Sequence, residues 1–307
     1  MKKIYIALVF FISTLSSQAQ QFALYNSRTL WDTFENPSQK AFVADTSRKY
    51  AFNFFIPTIS IHAAFSGPMQ KNIQDMMLTS KMDINDLSLN KGQNNILSEQ
   101  GNIYLLQFRM LNNVNVNGEM GFAWQVRTDG FIKFGNATLA ILDDYNRFDQ
   151  GQYQDIFNNK GYHQSYHQFS FTYRENVDKR LALGAKISLL SGISHNKLKI
   201  TKSSLNINHS NQTVSVYLKG KYQSSFDPED PDMGPSILYP DFTNPGLAFS
   251  ISGNYRFRDG WFLLGNLKDV GLILWNDKGA YQYHFDKTAT IQANSKNNNN
   301  NDPGSQV

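Results

Sequence analysis

The sequence predicts an all-β fold, an antiparallel transmembrane β-barrel, and three observations carry that expectation. Several long segments alternate apolar and polar residues with period two. A short apolar stretch behind two lysines opens the chain. Aromatic residues make up 14% of the 307 residues and charged residues only 18%, where soluble domains carry roughly 25% charged. Mean hydropathy is −0.44, and beyond the first dozen residues no apolar run approaches the ~20 that a membrane helix needs. A helical membrane bundle is excluded. Cysteine is absent, which removes disulfides, thiolate metal sites and cysteine nucleophiles.

Residues 1–19 read as a signal peptide. Lys2 and Lys3 precede an apolar core from Ile4 to Ile12, and Ser17 and Ala19 frame a cleavage site. Its removal takes away two lysines and lowers the formal charge from +4 to +2. The pI of about 9.0 therefore gives little support for a nucleic-acid partner. The expected location is the outer membrane of a Gram-negative envelope, with lipid as the expected partner.

Residues 20–48 form a plug-like segment, and residues 49–292 the strands and loops of the barrel. In the segment Val114 to Arg127 the split is complete. Phe122 and Trp124 share the apolar face; Glu119, Gln125 and Arg127 share the polar one. Leu181 to Leu189, Thr213 to Tyr222 and Leu247 to Arg258 repeat the pattern. About ten strand candidates fall between Tyr50 and Ile291. Arg258-Asp259-Gly260 and Glu175 to Lys179 are short turn signals, whereas Asp143–Gly161 and Ser224–Asn244 are long polar connections. Short turns at one end and long loops at the other suit an outer-membrane barrel. A β-sandwich is the soluble alternative, although its strands usually run only ~5–6 residues. Aromatics near strand ends, Tyr50, Tyr104, Tyr173, Tyr222, Trp261 and Trp275, suit interfacial girdles. Ile73, Met76, Met77 and Leu78 suggest a short amphipathic helix acting as a lid or plug. Residues 293–307 are an Asn-rich low-complexity tail. That tail leaves two expectations open, an incomplete fragment of a larger barrel or a small closed one.

The stretch from Leu24 through Trp31, and Phe34-Glu35-Asn36-Pro37-Ser38 through Phe42, resembles the start of a Bacteroidota outer-membrane β-barrel family of unknown function. That family is the one built on domain of unknown function 5723. Asn36-Pro37 is also similar to the Asn-Pro-Ala of the plug in FadL-type channels and in the type IX secretion protein PorV, with Ser38 in place of the alanine. Gly246-Leu247-Ala248 and Leu267-Lys268-Asp269-Val270 through Trp275 resemble late strands of the same superfamily. The resemblance implies a FadL/PorV-like barrel whose N-terminal segment plugs the lumen at Asn36 and Pro37.

The chemistry-bearing groups point away from catalysis. His163, Ser165 and His167 share one strand face, yet no local acidic residue or Gly-x-Ser-x-Gly elbow accompanies them. A hydrolase remains their only sharp reading, against polar residues at a barrel rim. Asp227, Glu229, Asp230 and Asp232 form an acidic loop without EF-hand spacing. His62, His195, His209 and His284 lack metal-ligand spacing. No catalytic, cofactor or metal residue is expected, and no cofactor. Arg127, Arg174, Lys186, Lys219, Lys221 and Arg256 fall on the polar phase, with only Glu119 opposing them. They are the expected basic lining of a lumen. The expected function is therefore a non-enzymatic outer-membrane barrel, channel-like, transporter-like or structural. The alternative is an accessory component of type IX secretion or surface attachment, with secretion-system or surface proteins as partners. The small-molecule ligand is not readable from the residues.

Overall fold

The computed structural model describes residues 29–39, 49–53, 56–79, 87–89, 91–111, 118–143, 147–149, 151–208, 210–226, 238–257, 260–276 and 280–292. The expected signal peptide, the acidic loop from Asp227 to Asp232, Arg258 and Asp259 of the expected turn, and the Asn-rich tail lie outside the described residues. Among the described residues three helices are α1 (Asp32–Glu35), α2 (Gln70–Thr79) and α3 (Asn136–Asp143). Eleven strands follow the chain: β1 (Tyr50–Phe52), β2 (Thr58–Ser66), β3 (Asn94–Leu111), β4 (Gly118–Gly135), β5 (Gln152–Gln154), β6 (Lys160–Asn176), β7 (Leu181–Asn208), β8 (Thr213–Ser224), β9 (Pro245–Arg256), β10 (Phe262–Ile273) and β11 (Tyr281–Gln292). All eleven belong to one sheet, and the pairings are antiparallel. No described helix is long and apolar enough to cross a membrane.

The strands stack as a meander of seven tiers. β1 and β2 lie end to end along β3, and β5 and β6 end to end along β7. The other edge of β7 takes β9 on its first half and β8 on its second. β10 then pairs β9 and β11 pairs β8, so the last tier is also two collinear strands. β6 and β7 are joined by residues 177–180, while α2, α3 and β5 fill the connections at the opposite end. Gly260 supplies the positive φ of +79° that the β9–β10 turn needs. Among the described residues no pairing joins β10 or β11 to β1 or β2.

Alternation gives the sheet two unlike faces. The inner face is polar or small: Glu119, Ala123, Gln125 and Arg127 of β4, Ser170, Thr172 and Arg174 of β6, Lys186 and Ser188 of β7, and Ser250 and Ser252 of β9, all buried. The outer face is apolar and bare over the same levels. Met120 and Phe122, Phe171 and Tyr173, Leu183, Ile187 and Leu189, Leu247, Phe249 and Ile251, and Leu267 and Leu272 are all exposed. Soluble monomers rarely leave a contiguous apolar surface of this extent.

Towards the long-loop end the same outer face is covered. Phe134 of β4, Leu205 and Ile207 of β7 and Val214 of β8 are buried in one cluster with Met69, Phe148, Tyr153, Ile156, Phe157 and two alanines of α3. Tyr153 of β5 sits opposite Leu205 in register, and Ile73 of α2 packs against the cluster. Met77 and Leu78 on α2 stay exposed, so that helix covers the core with one side only. β7 shows both conditions on one strand: Ile187 is 58% exposed and Leu205 is fully buried.

Candidate functional site

Residues 29–39 lie against the inner face, and the wall is shaped to receive them. α1 is a single turn whose exit residue, Asn36, adopts φ −141° and ψ 97°. The Asn36 Oδ1 accepts from the Ser38 hydroxyl at 2.9 Å and from the Ser38 N–H at 3.2 Å, a local turn that Asn favours. The same N–H reaches Ser252 Oγ at 2.7 Å. Gly184 of β7 faces Pro37 and Ser38 so closely that a Cβ there would overlap their main chain. At Gly121 of β4 a Cβ would lie 2.6 Å from Thr172 Oγ1 and 3.1 Å from the Phe34 ring. Glycine at these two inner positions is what lets the segment approach.

Charge fixes the segment to strands from the second tier to the last. Glu35 accepts from the Tyr104 hydroxyl of β3 at 2.5 Å and pairs with Lys268 of β10. One carboxylate thus ties the second tier to the last. The Lys186 ammonium donates to the Phe34 carbonyl at 2.8 Å and pairs with Asp269 at 2.8 Å. Arg127 pairs with the other Asp269 oxygen and with Asp129, at 3.2 Å, while the Tyr166 hydroxyl donates to Asp129 at 2.8 Å. At the next level Arg109 holds Glu119, and Arg174 reaches both Glu119 and the Ser38 carbonyl. Burial alone would raise the Glu35 pKa, but Lys268, Lys186 and Arg127 outweigh it and hold the carboxyl below its ordinary value of 4.5.

Lys268 and Asp269 reach this interior through a backbone irregularity. The β9–β10 register slips between Leu267 and Val270, and Asp269 has φ +48°. Such a bulge turns two successive residues to one side. The Asp269 N–H and the Ser250 hydroxyl meet at 2.8 Å within it.

The sequence-predicted residues divide. Asn36 and Pro37 lie in the segment pressed against the wall, and Asn36 is fully buried. Arg127, Arg174 and Lys186 are buried around it. Lys219 and Lys221 occupy the same face of the sheet but lie beyond the segment and are exposed. Lys219 pairs with Asp286 of β11 at 2.6 Å. Arg256 is exposed at the opposite end. The six are not brought together into one ring. Arg127 and Lys186 meet Asp269, which the bulge brings in and strict alternation does not reveal; Arg127 also meets Asp129 on its own strand, and Arg174 meets Glu119. Tyr104, expected at a girdle, is buried on Glu35 instead. His163, Ser165 and His167 face outward; Ser165 Oγ meets Thr128 Oγ1 at 3.0 Å and His167 meets the Trp124 indole at 3.2 Å. Among the described residues no cluster of three or more metal-ligating side chains exists.

A family model described as a family of unknown function, DUF5723, matches residues 41–306. The chain belongs to this family. The DUF5723 match spans every strand from β1 to β11 and begins just beyond residues 29–39, which lie against the inner face. No curated protein and no solved structure matches the chain.

Proposed function

We propose that this DUF5723 chain is a non-enzymatic outer-membrane β-barrel module, exported by its N-terminal signal, with residues 29–39 as a plug that closes it at rest. The observation that carries the reading is the outer face of β7. The chain covers that apolar face with α3 and β5 around Leu205 and Ile207, yet leaves it bare from Leu183 to Leu189 and on every neighbouring tier. The bare stretch of β7, Leu181–Leu190, matches the ~9–11 residues of a tilted membrane strand. Lipid supplies the missing cover, while Tyr104, Arg174, Lys186 and Ser252 of the inner face hydrogen-bond the plug. A wall wrapped on a plug is also what the resemblance to FadL-type channels and PorV implies. A filled interior favours transport by plug displacement, or a structural role, over a standing open pore.

Fractionation tests the reading. The expected result is recovery of the mature protein in the sarkosyl-insoluble outer membrane, with a β-type circular dichroism spectrum in detergent. Release into the soluble periplasmic fraction would overturn it.

A further inference from the structure

We propose that the cavity between the plug and β2 is a binding site for a small uncharged sugar, seated on Trp31 and hydrogen-bonded by the wall. The cavity has a volume of about 600 Å³, inside the roughly 300–1,000 Å³ usual for ligand sites. Residues 29–31 of the plug form one side of it. Thr58, Ser60 and His62 of β2, Gln107 of β3 and Asn53 form the other. Thr58 and Ser60 stand opposite Tyr104 and Asn102 in register, which places them on the inner face. Ile59 and Ile61 also border the cavity but alternate to the outer face, where they are exposed.

A break in strand pairing opens the space. β1 ends opposite Phe108 and β2 begins opposite Tyr104, so Leu105–Gln107 of β3 have no paired strand on that edge. Asn53 covers part of the break: its Oδ1 accepts from the Gln107 N–H at 2.9 Å and its Nδ2 donates to the Leu105 carbonyl at 3.3 Å. The Gln107 side chain is buried, and its Oε1 accepts from the Thr58 hydroxyl at 3.4 Å. Its Nε2 has no hydrogen-bond partner among the described residues. A buried amide N–H in that condition is unfavourable, and an acceptor on a ligand removes the penalty.

The lining selects the class of ligand. Apart from His62 it carries no ionisable side chain, so a charged ligand would find no counter-ion on these walls. Amides and hydroxyls both donate and accept, as the hydroxyls of a sugar do. The Ser60 hydroxyl and His62 Nε2 meet at 2.7 Å and extend that polar wall. Trp31 packs on the cluster of Phe34, Tyr104 and Ala123 while lining the cavity, and the electron-rich face of an indole attracts the C–H face of a sugar ring. An acyl chain would instead bury the polar wall without partners.

The inference adds a substrate class to the plug reading and rests on that reading for its place in transport, but its test involves no membrane. The full chain, in micelles of lauryldimethylamine oxide, which bears no sugar, is titrated calorimetrically with glucose, galactose, maltose and lactose. Decanoate and glycine betaine serve as apolar and charged controls. At least one sugar should bind saturably, and neither control should. Gln107→Leu and Trp31→Leu should each weaken that binding about tenfold or more, whereas Leu183→Ala on the outer face should leave it unchanged. Saturable binding by none of the sugars, undiminished binding to Gln107→Leu, or binding of decanoate in place of a sugar would overturn the site. Should both cavity variants fail to fold, Ser60→Met on the edge strand fills the space and should abolish binding, and unchanged binding there would equally overturn it. A chain that binds no sugar can still fractionate with the outer membrane, and a chain released to the periplasm can still be titrated, so the two readings fail separately.

Discussion

At Gly184 the smallest side chain in the alphabet decides where residues 29–39, the proposed plug, can lie. Any Cβ at this position overlaps the main chain of Pro37 and Ser38, and the wall strand has no soft side chain there that could yield. Gly184→Val should expel the plug, at a cost of about 1–3 kcal/mol or more from overpacking, read as faster cleavage within residues 29–39 under limited proteolysis. Gly265→Ala on β10 meets nothing within 4 Å and should leave proteolysis unchanged. Equal protection in both variants would mean the plug does not rest on β7. Lys186 is a second anchor, since it joins Asp269 of the wall to the Phe34 carbonyl of the plug. Lys186→Met leaves buried Asp269 short of a cation and should cost about 3–5 kcal/mol. Glu35 adds a pH dependence of known sign. Its folded pKa lies below 4.5, so its stabilisation is complete above that value and is lost as the pH falls through the lower folded one. The plug should stay protease-resistant from neutral pH down to about 5 and loosen only in stronger acid. Glu35→Gln should flatten that acid limb, and an unchanged limb would assign it to another carboxylate.

On the scale of the element, β7 explains what the sequence discloses and what it hides. Alternation from Leu181 to Leu189 placed Lys186 on the face opposite Ile187, and the structure keeps them there. Period two says nothing of level along a strand, so Lys219 and Lys221 share a phase with Arg174 yet stand beyond the plug. Nor can it represent a bulge: Lys268 and Asp269, adjacent in sequence, both turn inward through the register slip at Leu267. A charged pair inside an otherwise apolar strand was the available signal. The two halves of β7 make opposite predictions for single cysteines, which the cysteine-free chain reports cleanly. In native membranes Ile187→Cys should react with a lipid-soluble maleimide and not with a water-soluble one. Lys199→Cys, exposed on the polar face, should do the reverse. Leu205→Cys, beneath α3 and β5, should resist both until denatured. Ready reaction of Ile187→Cys with the water-soluble reagent would remove lipid from the outer face.

Across the whole molecule, stability should fall from the centre of the meander to its edges. β4, β6 and the first half of β7 are paired on both sides, and the plug packs against their inner face through Gly121, Arg174 and Lys186. β2 is paired on one side only among the described residues, as is β11 on its partner β8, and nearly every residue of β11 is exposed. Opening free energy tracks buried contact and backbone hydrogen bonding, so amide exchange should be slowest in β4, β6 and Leu181–Leu190 and fastest in β11 and β2. In the proposed membrane barrel, lipid would add to the contrast, because a broken backbone hydrogen bond in the apolar band finds no water to replace it. The plug enters the same ranking through Glu35, which links β3 to β10. In Glu35→Ala the amides of β10 should therefore gain exchange well before those of β6. Hydrogen–deuterium exchange of the micellar protein, resolved to peptides within each strand, measures all of this at once. Protection of β11 equal to that of β6 would require a further paired edge, and a β10 indifferent to Glu35 would mean that the plug does not brace the last tier.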